Sequence, residues 1–184
     1  MRLVCVYSAC LAAVLFLNGC DRTAPTNAAS TAAPTSAVGG YLNHAQPKLA
    51  TLKLWLGDQE LVTEIARSGA ELQTGMMYRT NMAENEAMLF VFGRPMRSSF
   101  YMRNTKVPLS CAYIDPDGTI QEVHDLKPLD EQPVEAETDR IQFVLETTQG
   151  WFKRHNLGAG AAVRTQYGPL SEINWMTLKP IHAR

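Results

Sequence analysis

Residues 107–126 read VPLSCAYI-DPDG-TIQEVHDL. Two apolar, β-branched-rich arms, 107–114 and 119–126, flank the four-residue turn Asp115-Pro116-Asp117-Gly118. Proline suits an early turn position, where φ is already near its fixed value, and glycine suits the position that needs positive φ. This stretch predicts a β-hairpin. Pairing Ile114 with Thr119 sets Cys111 opposite Glu122 and Leu109 opposite His124. Cys111 and His124 then become diagonal neighbours on one face.

The same reading extends outward in both directions. Residues 49–56 (LATLKLWL) alternate, with Leu52, Leu54 and Leu56 on one face and Trp55 on the other. Residues 61–66 (LVTEIA) form a second strand, and Gly57-Asp58 between them predicts a hairpin. Residues 69–78 predict a short helix or helical turn. Residues 88–92 (MLFVF) predict an apolar strand closed by Gly93-Arg94-Pro95, and residues 98–102 a short strand. Beyond the central hairpin come an acidic loop over 128–139, a strand over 141–146 and an amphipathic helix over 149–156 ended by Gly158. A strand over 161–165 and an edge strand within 171–178 complete the count. The expected fold is α+β and mostly β: an antiparallel sandwich or partly closed barrel of about eight strands with two or three short peripheral helices.

The chain has 184 residues, a formal net charge of −1 and 46% apolar residues, consistent with one globular domain. Its charge balance lacks the excess of basic residues that a nucleic-acid binder carries, so nucleic acid is not an expected partner. The N-terminus assigns a compartment. Met1-Arg2 precede LVCVYSACLAAVLFL, 15 residues that suit a signal peptide better than a membrane span. That stretch runs into Leu17-Asn18-Gly19-Cys20, which resembles the bacterial lipobox. The expectation is a signal peptide over 1–19, lipidation of Cys20, and a tether over 20–48 rich in Ala, Thr, Ser and Pro. A single globular domain would follow over 49–184. The protein would face the periplasm of the cell envelope on its lipid anchor, and Asp21 favours the inner membrane. Cys5 and Cys10 leave with the signal, so Cys111 remains as the one free thiol and no internal disulfide forms.

Known catalytic motifs are missing from the sequence. DPDG lacks the later acidic ligands of a calcium loop. His44, His124, His155 and His182 do not have metal-ligand spacing, and no phosphate loop or nucleophile elbow is present. No metal or cofactor is expected. Cys111 beside His124 reads as a small buried residue near a surface histidine rather than a nucleophile pair. Two stretches stand out: Gly75-Met76-Met77-Tyr78-Arg79 and Phe100-Tyr101-Met102-Arg103-Asn104-Thr105. Each places an arginine at the edge of an apolar segment. Arg79, Tyr101, Arg103, Asn104 and Thr105 supply donors suited to a carboxylate or to sugar hydroxyls. Glu146, at the end of IQFVLE, is expected to hold one arginine while the other faces a groove near Tyr101.

The order GMMYR, AMLFVF, FYMRNT, VPLSCAYIDPDG and FVLETTQG, from about Lys53 to Tyr167, resembles the bacterial and archaeal family called domain of unknown function 192. Met76, Ala87, Tyr101, Arg103 and Ser110 stand where the family pattern has Leu, Gly, Trp, Lys and Asp. The resemblance implies a compact β-rich fold, often behind an export signal, and no activity. The expected function is a membrane-tethered extracytoplasmic binding or accessory module. Its partner would be a small anionic or carbohydrate ligand or an envelope protein. A hydrolase acting on envelope glycan or peptide, or a structural envelope protein, is the alternative. An enzyme predicts a cleft holding a carboxyl or nucleophile of perturbed pKa. A binding module predicts a groove lined by Tyr101, Arg79 and Arg103 without such a group.

Overall fold

The computed structural model describes residues 40–181. Cys20, Asp21, the signal segment, most of the tether and His182 lie outside these described residues.

The chain starts with β1 (Thr51–Leu56) and β2 (Gln59–Ala66), joined through Gly57 at φ +56°. Helix α1 (Gly69–Thr74) follows, then β3 (Glu86–Met96), β4 (Ser99–Phe100), β5 (Leu109–Ile114) and β6 (Ile120–Leu126). After β7 (Val134–Glu135) and β8 (Ile141–Thr148) come α2 (Trp151–Arg154), β9 (Val163–Thr165) and β10 (Gly168–Pro169). A 3-10 turn (Leu170–Glu172) and the pair β11 (Ile173–Asn174) and β12 (Lys179–Pro180) finish the fold. The result is α+β and mostly β: one open eight-stranded sheet in the order β10-β9-β1-β2-β3-β8-β5-β6. Pairing within it is antiparallel except between β2 and β3, which run parallel. A parallel pair needs a crossover, and the segment carrying α1 provides it.

Burial explains the middle of the sheet. β3, β5 and β8 read as nearly unbroken apolar runs because both of their faces are covered. On one face Leu54, Leu56, Leu89, Ala112, Phe143 and Leu145 pack against Trp151 and Phe152. On the other, Met88, Phe90, Cys111, Tyr113 and Val144 pack against Met76, Leu72, Phe100 and Val134. The second face is therefore roofed by α1 and by the β4–β7 pair.

Several local expectations are corrected. β3 does not stop at Gly93-Arg94-Pro95; it continues to Met96 through a bulge after Val91, and a bulge is where a strand tolerates proline. The hairpin register also differs, because the bulge between Tyr113 and Ile114 slides the arms. Cys111 pairs directly with His124, and Tyr113 takes Glu122. Residues 41–48, read as the end of the tether, lie against α1. Leu42 N–H donates to Thr74 Oγ1 at 3.0 Å, and the buried Gln46 amide donates to Gly75 O at 2.8 Å. Gln46 can be buried in this way because its amide finds a carbonyl left over at the helix end.

Candidate functional site

The two unusual stretches meet. Tyr78 N–H donates to Asn104 O at 2.8 Å, and Asn104 Nδ2 donates to Tyr78 Oη at 2.8 Å. Both residues hold positive φ, +62° for Tyr78 and +55° for Asn104. Left-handed backbone at non-glycine residues costs free energy, on the order of 1 kcal/mol each, and persists where surrounding contacts enforce it. The reciprocal bonds are those contacts. They fix the loop after α1 against the loop after β4. Gly75, at φ +47°, completes the geometry: a Cβ there would come within 3.0 Å of the Phe90 ring.

Between these loops opens a cleft of about 240 Å³. Its walls are apolar and adaptable, with Met76, Met77, Met96, Phe90, Phe100 and Tyr101 prominent. Its floor is polar at Glu146, Ser98 and Thr105. Glu146 is 4% exposed and Ser98 2%. Neither Glu146 Oε2 nor Ser98 Oγ has a hydrogen-bond partner among the described residues. Thr105 Oγ1 instead donates to Arg103 O at 3.1 Å. Buried polar atoms are almost always paired, so two orphans in one cavity are exceptional. Burial pushes the Glu146 carboxyl up to about 8, because nothing nearby compensates its negative charge. Among the lining residues there is no lysine, arginine or histidine.

Glu146 therefore holds neither arginine. Arg79 forms a two-pronged pair with Glu64, Nη1–Oε1 3.1 Å and Nη2–Oε2 2.9 Å, beside a separate pocket that both line. Arg103 pairs with Glu131 at 2.7 Å and lies 5.2 Å over the Tyr101 ring. Both residues of that ion pair are well exposed, and the hydrogen bonds from Arg103 to Glu131 raise the guanidinium's proton affinity. Of the six residues singled out in the sequence, Tyr101, Thr105 and Glu146 line the cleft. Asn104 braces its wall, Arg103 caps Tyr101 at the rim, and Arg79 belongs elsewhere. Sequence reading missed Ser98, Phe90 and Met96. Phe90 alternates with Met88, the register partner of Glu146, and so lies on the Glu146 face.

Cys111 lies beside Glu146 in the sheet register, 0% exposed. Burial and the Glu146 charge push its thiol well above the usual range. His124, directly opposite, is bound at 2.7 Å to Glu122. This pair is not a nucleophile and its base. Native protein should therefore react with a thiol reagent slowly, and unfolded protein fast. Equal rates in the two states would show that Cys111 is accessible. Ser110 lies on the opposite face from Glu146, where its hydroxyl donates to Asp125 and accepts from Gly150 N–H at 2.8 Å. It braces the β5–β6 hairpin against α2 and does not touch the cleft.

The family model DUF192, described as Uncharacterized ACR, matches residues 53–165, which contain every residue lining the cleft. A solved structure from Sinorhizobium meliloti 1021, described as a candidate transcription regulator, is 28% identical with a TM-score of 0.62. It covers 66% of this chain and 98% of that one. A protein of unknown function from Novosphingobium aromaticivorans DSM 12444 is 29% identical with a TM-score of 0.61, covering 63% of this chain and 86% of that one. No curated protein matches.

Proposed function

The chain belongs to the DUF192 family, and from that premise we propose that it is an extracytoplasmic binding module, lipid-anchored at Cys20, whose cleft takes a small ligand. One observation carries the binding reading: a preformed apolar cleft with two buried, unpartnered polar atoms on its floor. Apolar walls with a few convergent polar groups are the general form of a small-molecule site. The volume lies below the roughly 300–1,000 Å³ typical of drug-sized ligands, so the occupant is smaller than those. Nucleic-acid regulation finds no support in a formal net charge of −1.

The methionines supply a direct test. With methionine methyls isotopically labelled, a ligand in the cleft should move the NMR signals of Met76, Met77 and Met96. Met176, 82% exposed and not among the lining residues, should stay still. Ligands that move Met176 and leave the other three unchanged would place binding elsewhere.

Anchoring rests on Leu17-Asn18-Gly19-Cys20 behind an apolar segment. Stable attachment needs more than one acyl chain, at about 0.8 kcal/mol per buried methylene. Cys20→Ala should abolish incorporation of labelled palmitate and release the protein from the membrane fraction. Persistent labelling would end the lipoprotein reading. No helix among the described residues is long and apolar enough to cross a membrane.

One observation favours the alternative, a hydrolase: Glu146 has the raised proton affinity of a general acid. Hydrolysis also needs a second carboxylate or an activated nucleophile, and no second carboxylate lines the cleft. Ser98 offers a hydroxyl but no histidine beside it. Binding is therefore placed ahead of catalysis.

A further inference from the structure

We propose that the cleft receives a small organic cation, an ammonium on a short apolar body, with Glu146 as its counter-ion and Ser98 Oγ as a second acceptor. This rests on the binding reading above and names the ligand class for that site.

The floor decides the sign of the ligand. Its two open valences are a carboxyl oxygen and a hydroxyl oxygen, and the lining residues include no cation. An anionic head would meet no positive charge and would sit beside a carboxyl. A sugar would find only these two open partners on the floor, since Thr105 is turned onto its own backbone. Both arginines that would have greeted an anion are already paired outside the cleft. An ammonium, by contrast, donates to both orphan oxygens. The walls fit the same chemistry. Phe90 and Phe100 meet edge to face at 4.9 Å, and Tyr101 stands at the rim. Aromatic faces attract a desolvated cation, and methionine side chains adapt to its apolar body.

Charge bookkeeping follows from the empty site. Without a ligand, Glu146 keeps its proton up to about pH 8. When the ammonium enters, that proton leaves to solvent and the carboxylate pairs with the cation, so one positive charge enters as one leaves. The titratable groups facing Glu146 are few. Cys111 and Tyr113 on β5 are held protonated by burial, and Tyr101 lies at the rim. Met88 on β3, Met76 and Met77 after α1, and Phe100 on β4 carry no charge. The pH dependence of binding therefore reports Glu146.

The test is calorimetric titration of the full chain with three probes of similar shape: 2-phenylethylammonium, 3-phenylpropanamide and 3-phenylpropanoate. The ammonium, like that of lysine, keeps its charge to about pH 10. Its affinity should rise about tenfold per pH unit between pH 6 and 8 and level off above, with release of up to one proton seen in the buffer dependence of the heat. Glu146→Gln should lower that affinity more than tenfold while Glu146→Asp retains part of it. If the amide or the carboxylate binds and moves the cleft methionines while the ammonium does not, the cation is wrong and the binding site stands. Ammonium binding that is independent of pH and unchanged in Glu146→Gln also overturns the assignment. If no probe binds and the methionine signals stay fixed, the binding reading falls with it.

Discussion

Glu146→Gln is expected to stabilise the protein at neutral and alkaline pH and to leave it almost unchanged at pH 5. The wild-type carboxyl titrates at about 8 in the fold against an ordinary value of 4.5. Between those values the folded state holds a proton that the unfolded chain has lost. Stability therefore falls as pH rises through this window, by about 1.4 kcal/mol per unit. Near pH 7 the accumulated loss is about 3 kcal/mol, and it grows until the folded carboxyl ionises. A glutamine never ionises, so the variant lacks this slope. For a folded region of this size the melting temperature at pH 8 should rise on the order of 10 °C. Melting curves of both proteins at pH 5, 6, 7 and 8 settle the matter. Parallel pH profiles would mean that Glu146 is ionised and paired in the fold.

A destabilising carboxyl held at the centre of a sheet is informative in itself. Apolar or amide side chains would fill the same place with less strain, and binding sites are where such a loss of stability is tolerated. The strained backbones of Tyr78 and Asn104 belong to the same pattern. Their reciprocal hydrogen bonds fix the loop after α1 and the loop after β4 to each other at the edge of the cleft.

Much of this was legible in the sequence. The DPDG turn, the Leu52-Leu54-Leu56 alternation and the apolar β3 each follow from local chemistry and period. The parallel join of β2 to β3 was not, because strand order depends on which edge the crossover finds, and no residue in the α1 segment encodes that. Glu146 was misjudged through an assumption about charge. Reading β8 as ending at Glu146 put the carboxyl at a mouth, where an arginine would meet it. The strand runs on to Thr148, and Val144 and Glu146 share the inward face. Ile141, Phe143 and Leu145 alternate with Gln142 and Glu146, so period 2 alone put Glu146 on the polar face; only Val144 between them marked that face as covered. Residues 41–48 misled through composition, since Gln46 read as a solvated side chain until the end of α1 offered its amide a carbonyl.

Arg79→Ala and Arg103→Ala should separate sharply, and by burial alone. The Arg79 and Glu64 side chains are 14% and 12% exposed. Glu64 Oε2 also accepts Leu49 N–H at 2.8 Å, and Arg79 Nη2 reaches Pro47 O at 3.4 Å. One ion pair thus joins the strand β2, the loop after α1 and the chain entering β1. Truncating Arg79 leaves the Glu64 carboxylate mostly out of water with no cation, which costs about 3 kcal/mol, at the low end for a broken buried pair because some water reaches it. Arg103 and Glu131 are 40% and 55% exposed, so their attraction is screened and contributes at most about 1 kcal/mol. Arg103→Ala should melt within a few degrees of wild type while freeing Tyr101 at the cleft rim, so its effect belongs to ligand binding. A double variant that replaces Arg79 and Glu64 with leucines should recover most of the loss, since no charge is then stranded. Equal melting temperatures for the two alanine variants would show that burial does not govern these pairs. Failure of the double leucine variant to recover would mean that the loss comes from the bonds both leucines remove, Arg79 to Pro47 O and Leu49 N–H to Glu64, rather than from a stranded charge.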